Sequence, residues 1–212
     1  YLKKEYSFVT ILSSRRTTEE NLYEGQTLKE LQEYSKNNDG YVLYFHSKGM
    51  LHSINSHQTI PTRDWRHYMN YWMIERWKDC ICKIEEDDVD VVGTNWNSDP
   101  YWHFSGNFWW SKASHIKTLG QIVDRSYNGP EFYIASKADG KYFSLWNSNV
   151  WHYGTPYPPE KYVGQIIENF GNGNDNSNYS QYILMILISI GMLTFIGLII
   201  CILYIFIFMY FS

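Results

Sequence analysis

The apolar run from Ile183 to Phe211 constrains this chain more than any other feature, because it contains no charged residue. A helix rises about 1.5 Å per residue and needs roughly 20 apolar residues to cross a bilayer, so this run is long enough to span one with some tilt. A helix buried in a globular core would be shorter and apolar on one side only. The run therefore predicts a transmembrane helix at 182–212, a single-pass C-terminal anchor with the lipid bilayer as partner.

The rest of the chain divides at a polar stretch. Residues 171–178 are mostly Asn and Gly without apolar anchors, which is typical of a flexible linker. We therefore expect a globular domain at 1–165, a linker at 166–181 and the membrane segment after it. The first residue is Tyr1 rather than Met, and we expect the domain to be truncated at its N-terminus, without its first strand.

The globular part opens with a strand, helix, strand pattern. Phe8–Leu12 is a short apolar strand, a helix is predicted from about Glu20 to Ser35, and Tyr41–Phe45 is a continuous apolar run. Such a run is typical of a strand buried on both faces of a parallel sheet. The pattern therefore predicts an α/β fold built from a βαβ unit.

His46 and Lys48 follow the second strand, where α/β sheets place their ligand crevice. A lysine beside Gly49 suits a phosphate, because the ammonium supplies charge and glycine lets backbone N–H groups approach an anion. Arg66 lies on a helix that we expect Thr62 to cap, and its guanidinium could bind a diphosphate through two hydrogen bonds. The alternatives are an ordinary polar turn after the strand and a solvated surface arginine.

Asp88-Val89-Asp90 spells a D-x-D motif, and carboxylates are suitable ligands for Mg²⁺ or Mn²⁺. The motif precedes a buried strand instead of following one. Asp90 is the better metal candidate, because Asp88 belongs to an acidic turn that suits a solvated cap.

The block His103–Trp110 combines four aromatic residues with a histidine, a serine, a glycine and an asparagine. Aromatic faces bind sugar rings and polar groups orient them, so this block predicts a binding wall. The sugar-binding candidates are His103, Ser105, Asn107 and Trp109. The alternative is a buried aromatic strand in which the glycine marks a bulge.

Glu131 opens a helix just after Gly129-Pro130. A carboxylate there could act as the general base that removes a proton from an acceptor hydroxyl. The alternative is purely structural, because the helix dipole favours an acid in the first turn.

The amino-acid composition limits the classes of partner that the chain could bind. Aromatic residues make up 18 % of the chain, which suits either a carbohydrate-handling surface or an aromatic core. The formal net charge is −4 and the basic residues are scattered, so no basic stripe indicates nucleic acid as a partner.

Several motifs together resemble a glycosyltransferase-like family of large DNA viruses, protists and bacteria and, more distantly, rhamnan synthesis protein F. The resemblance covers roughly 8–162 and is carried by Tyr44–Gly49, Asp64–Arg66, Asp90–Gly93, His103–Trp110 and the region of Glu131. It implies a GT-A-like, Rossmann-type mixed sheet flanked by helices. It also implies that His152 lies beside the diphosphate or its metal. The alternative is a structural role, which is usual for a lone histidine between aromatic residues.

Together with the apolar run at 183–211, the resemblance predicts a membrane-anchored glycosyltransferase, in a host endomembrane or a viral membrane. It would move a sugar from a nucleotide-diphosphate sugar to a hydroxyl acceptor on a glycan, protein or lipid. His46, Lys48 and Arg66 would hold the diphosphate, Glu131 would be the base, and Asp90 with His152 would be candidates for a Mn²⁺ or Mg²⁺ site. The alternative is a non-catalytic membrane-anchored carbohydrate-binding protein or a degenerate transferase.

Overall fold

The computed structural model describes residues 24–47, 57–121, 126–165 and 186–187. The predicted first strand Phe8–Leu12, Lys48 and the predicted linker at 166–181 lie outside these residues. The helices are α1 (Gly25–Asn37), α2 (Thr59–Asn70), α3 (Trp77–Glu86), α4 (Ala113–Ile116) and α5 (Gly129–Tyr133), with a π-helical turn at Tyr71–Glu75 and a 3₁₀ turn at Pro159–Lys161. The strands are β1 (Tyr41–Tyr44), β2 (Val91–Gly93), β3 (Trp96–Asn97), β4 (His103–Phe104), β5 (Trp109–Lys112), β6 (Tyr142–Ser144) and β7 (Ile186–Leu187).

Five strands form the main sheet, in the order β6-β2-β5-β1-β7. The central strand β5 is antiparallel to both β1 and β2, whereas β6 is parallel to β2 and β7 is parallel to β1. β3 and β4 form a separate two-stranded hairpin. The sheet is therefore small and mixed, and β1 and β2 are separated by a strand that comes later in the chain.

Alternating side chains fill a core on each face of the sheet. Leu43, Val92 and Trp110 pack with α2 and α3 in one cluster, whereas Val42 and Val91 pack with α1 and α4 in the other. Successive side chains of a strand point to opposite faces, so an uninterrupted apolar strand requires apolar cover on both. The prediction that Tyr41–Phe45 forms a strand buried on both faces is confirmed for residues 42–44, but the predicted parallel sheet is wrong, because β1 is antiparallel to β5.

The predicted helix from Thr62 is two helices joined by the π-helical turn. α2 begins at Thr59, so Thr62 lies inside the helix and is buried instead of capping it. In the π-helical turn, the Arg76 N–H donates to the Tyr71 carbonyl at 2.9 Å. The indole N–H of Trp110 donates to the Met73 carbonyl at 2.7 Å, which ties the turn to β5.

The predicted fold class, a GT-A-like Rossmann-type domain followed by a transmembrane helix, is wrong. The structure is a mixed α/β fold with a small sheet. In this sheet β5 lies between β1 and β2 and is antiparallel to both, so β1 and β2 are not adjacent parallel strands. Within the described residues, no helix combines the length and the apolar character needed to cross a membrane. Most of the predicted span at 182–212 lies outside them, and its described part, Ile186–Leu187, is a strand beside β1.

Candidate functional site

A cleft of about 150 Å³ lies between the β3–β4 hairpin, α2, α5 and a late loop. It gathers aromatic faces with carboxylate, imidazole, hydroxyl and amide groups. Its lining residues are Trp65, Asp99, Pro100, His103, Ser105, Asn128, Glu131, Phe132 and Tyr153. The structure thus places Glu131 in the same cleft as His103 and Ser105, two candidates from the aromatic block.

His103 is buried at the start of β4, with its Nδ1 2.7 Å from the Tyr101 carbonyl oxygen. A carbonyl can only accept, so Nδ1 carries the proton and donates it. In the neutral ring Nε2 then holds the lone pair. Because the side chain lines the cleft, Nε2 is the nitrogen that can accept a hydrogen bond from a ligand hydroxyl.

Two carboxylates lie in this cleft. Glu131 is half-buried in the first turn of α5, directly after Pro130. Asp99 is exposed, and its backbone N–H donates to the side-chain oxygen of Asn97 at 3.1 Å. Asp99 was not among the site residues predicted from the sequence. The feature that could have identified it is the Asp-Pro pair in a polar loop just before the aromatic block.

Asn107 and Trp109 lie behind the cleft instead of lining it. Both are buried, and the indole N–H of Trp109 donates to the Asn107 side-chain oxygen at 2.9 Å. The Asn107 amide nitrogen donates to Glu24 Oε2 at 3.0 Å and to the Pro130 carbonyl at 3.4 Å. These contacts connect β5 to the residue before Glu131, so this pair supports the cleft from behind.

His46 belongs to the same buried network. Its Nε2 lies 3.1 Å from the Gly106 carbonyl oxygen and its Nδ1 lies 2.9 Å from Glu24 Oε1. The carbonyl requires a proton on Nε2, so Nδ1 can donate to Glu24 only when the ring is an imidazolium. Neither ring nitrogen is left for a diphosphate in this arrangement. Glu24 lies outside every motif that the sequence singled out.

Arg66 and Lys48, two of the predicted diphosphate ligands, are not among the described residues that line the cleft. Arg66 is half-buried on α2, one residue after Trp65, and is not among the lining residues. Lys48 lies outside the described residues. The three predicted diphosphate ligands are therefore not seen together in the described part of the chain.

Asp90 directly precedes β2, and its carboxylate contacts Lys141 and Lys112. Its Oδ2 accepts the Lys141 backbone N–H at 3.0 Å, and the Lys112 Nζ lies 3.9 Å from its Oδ1. Asp88 pairs with Lys141 and Lys112 at 2.5 and 2.9 Å, and these ammonium groups lower its pKa to about 2. Both carboxylates of the D-x-D motif thus contact lysine residues. Across the described ranges, no group of three or more His, Cys, Asp or Glu is arranged to hold a metal ion.

His152 lies in a different network from Asp90. Its ring stacks on Trp65 at 5.2 Å, and its Nε2 lies 2.7 Å from Ser148 Oγ and 3.1 Å from Asn95 Nδ2. The Ser148 backbone N–H donates to Asn95 Oδ1 at 2.7 Å, so the Asn95 amide nitrogen is the group that faces His152. Nε2 is therefore an acceptor and the ring is the neutral Nδ1–H tautomer.

Burial sets the charge state of His152. The side chain is 4 % exposed, and loss of hydration lowers its pKa to about 4. No described group accepts from its Nδ1. The ring therefore serves as a neutral stacking partner for Trp65, one wall of the cleft.

This buried ring predicts a pH-dependent stability. An unfolded histidine has a pKa near 6.5, so between pH 6.5 and about 4 the unfolded chain binds a proton that the native ring does not. Falling pH should therefore destabilise the native state, by roughly 1–2 kcal/mol from pH 7 to pH 5. Urea unfolding at both pH values should show a smaller loss in His152→Gln.

The comparison isolates His152, because burial also lowers the pKa values of His67 and His115 and both remain in the variant. Equal losses of stability in the wild type and the variant would contradict the assigned neutral state.

The larger part of this chain matches a known protein family. Residues 6–140, more than half of the 212-residue chain, match a family described as a domain of unknown function, DUF8361. No curated protein and no solved structure matches the chain. Of the residues that line the cleft, Tyr153 alone lies beyond the matched range. The chain belongs to the DUF8361 family.

Proposed function

We propose that this domain is a glycosyltransferase that holds one sugar ring in the cleft and transfers a sugar from a nucleotide-diphosphate sugar to a hydroxyl acceptor on a glycan, protein or lipid. The observation that carries the proposal is the composition of the cleft, in which aromatic faces surround His103, Ser105 and Glu131. Sugars present C–H faces to aromatic rings and hydroxyl groups to acceptors and donors, so both kinds of group are needed in one site.

The volume of the cleft limits its occupant. Pockets for drug-sized ligands enclose about 300–1,000 Å³, whereas this cleft encloses about 150 Å³. A single sugar ring is of the right size and a complete nucleotide sugar is not. The nucleotide must therefore bind outside the cleft.

Glu131 is the proposed general base. In the transfer, the acceptor oxygen bonds to the anomeric carbon of the donor, the bond from that carbon to the diphosphate breaks, and its electron pair leaves with the diphosphate. The acceptor proton passes to the Glu131 carboxylate. His103 Nε2 and Ser105 orient sugar hydroxyls beside it.

The leaving diphosphate gains charge, which cations must stabilise. Arg66 follows the cleft residue Trp65 along α2, and we keep Lys48 and Arg66 as the proposed cations. His46 is assigned a positioning role instead, because its ring nitrogens contact Glu24 and Gly106. Asp90 and His152 do not fit a shared Mn²⁺ or Mg²⁺, because lysines engage the carboxylate and Asn95 with Ser148 engages the imidazole. No step is derived through a metal.

A non-catalytic carbohydrate-binding protein is the second candidate. The observation that favours it is the burial of His46 against Glu24, which removes one of the three predicted diphosphate ligands. A sugar-binding protein needs the aromatic cleft but has no need of a cation for a diphosphate.

Isothermal titration of the full chain separates the two functions. The titrants are uridine-, guanosine- and thymidine-diphosphate sugars together with the matching free monosaccharides. The transferase proposal predicts binding of at least one nucleotide sugar and its loss, by tenfold or more, in Lys48→Ala. The exposed Lys29 offers a matched control, and Lys29→Ala should bind as the wild type does.

Sugar binding that is the same with and without the nucleotide, and that survives Lys48→Ala, would support the non-catalytic candidate. Absence of binding to every sugar and nucleotide sugar, in a chain that melts cooperatively, would overturn both.

A further inference from the structure

Two large aromatic side chains lie beside the cleft and are mostly exposed to solvent. Tyr101 and Trp151 are 67 % and 70 % exposed, and we call them the aromatic rim. The ring of each lies near a residue that lines the cleft: the Tyr101 ring centroid is 5.3 Å from that of Phe132, and the Trp151 ring centroid is 6.4 Å from that of Tyr153. Exposed aromatic rings beside a cleft can extend its binding surface, because their faces are platforms for apolar faces of a ligand.

Trp151 is held in place although it is exposed. A Cβ added to Gly154 would collide with Cζ3 of Trp151, so the indole lies directly over the glycine. The backbone N–H groups of Gly154 and Thr155 both donate to the Trp151 carbonyl, at 3.1 and 2.9 Å. A tight turn with a glycine under the ring therefore presents this indole in a defined position.

Tyr101 is held by a different contact. Its carbonyl accepts from His103 Nδ1, and its ring meets Phe132 edge to face. The rim thus has two ordered aromatic faces from separate chain segments. An ordered ring loses little conformational entropy when it binds a ligand.

From this arrangement we propose that the aromatic rim binds the sugars next to the ring held in the cleft, so that the substrate is an oligosaccharide chain and not a free monosaccharide. The inference rests on the proposed function, because it takes the cleft as the central sugar site. A cleft of about 150 Å³ has room for one ring, so a sugar chain bound there would pass over its edge. Aromatic rings separated by polar groups such as Asp99 suit an alternating surface of C–H faces and hydroxyls.

The test is titration of the full chain with gluco-, manno- and N-acetylglucosamine oligosaccharides of one to six units. Affinity for the sugar that binds should rise at least tenfold from one to three units. Trp151→Ala and Tyr101→Ala should each lower the affinity for the longest oligosaccharide by about three- to tenfold, the range expected for one aromatic contact. Both variants should bind the monosaccharide as the wild type does.

Two further variants sharpen this test. Gly154→Ala keeps the indole but displaces it, and should weaken oligosaccharide binding in the same direction as Trp151→Ala. Trp102 is the matched control, because it is also exposed but stacks on Trp96 and not on a lining residue. Trp102→Ala should leave affinity at every chain length unchanged.

Equal affinity for one and three units, or full oligosaccharide affinity in both rim variants, would overturn the inference and leave the proposed function standing. Failure of every sugar of every length to bind would overturn both. A concentration-dependent dimer that Trp151→Ala converts to a monomer in sedimentation would also overturn it, because the rim would then be an interface between copies of this chain.

Discussion

Glu131→Gln is expected to lower the rate of sugar transfer by roughly 10²–10⁴-fold, the usual contribution of a positioned general base. The amide keeps the size of the side chain but cannot accept the proton of the acceptor hydroxyl. Glu131 is half-buried in α5, and the substitution adds no heavy atom there. Release of the nucleoside diphosphate, measured with donor and acceptor at saturation, gives the rate.

Glu160→Gln is the matched control for this variant. Glu160 is an exposed carboxylate in the 3₁₀ turn and does not line the cleft. Its variant should retain the wild-type rate. A Glu131→Gln protein that also transfers sugar at the wild-type rate would show that another group takes the proton.

Gly106→Ala should lower the free energy of unfolding by about 2–5 kcal/mol. The ideal Cβ would lie within 3.0 Å of both Met69 Sδ and Trp65 Cζ2, and overpacking of this kind costs about 1–3 kcal/mol. The backbone φ of +96° adds about 1–2 kcal/mol for a residue with a side chain. Denaturant unfolding measures the sum of these effects.

Gly120→Ala provides the comparison. A Cβ added to Gly120 would meet no heavy atom within 4 Å, and its φ is not positive, so the variant should unfold as the wild type does. Gly106→Ala should also weaken sugar binding, because Trp65 is a wall of the cleft. Unchanged stability in Gly106→Ala would mean that Trp65 and Met69 can move aside at little cost.

Local patterns in the sequence were sufficient to locate most of the core. Trp65, Tyr68, Met69 and Trp72 recur at helical spacing in the sequence, and all four are buried, in α2 and the π-helical turn. The unbroken run in β1 indicated cover on both faces, which the two clusters supply. These features depend on side-chain spacing within one element, and spacing is a property of the sequence.

The role of the aromatic block was left open by its composition, and the structure divides it. His103 and Ser105 line the cleft, whereas Asn107 and Trp109 are buried behind it. Gly106 does allow a close approach, but Trp65 and Met69 occupy the space. The alternative of a buried aromatic strand therefore describes Trp109, in β5, whereas the sugar-binding role of His103 and Ser105 stays a prediction.

The sequence by itself determined which residues could form strands, helices and core, because these follow from the period of apolar side chains. It also nominated His103, Ser105 and Glu131 from their chemistry. Only the tertiary structure decided that β5 separates β1 from β2, that Asp90 faces lysines, that His46 pairs with Glu24, and that Asp99 joins the cleft. Each of these is a contact between segments far apart in the chain, and the pattern within one segment does not encode the partner it meets.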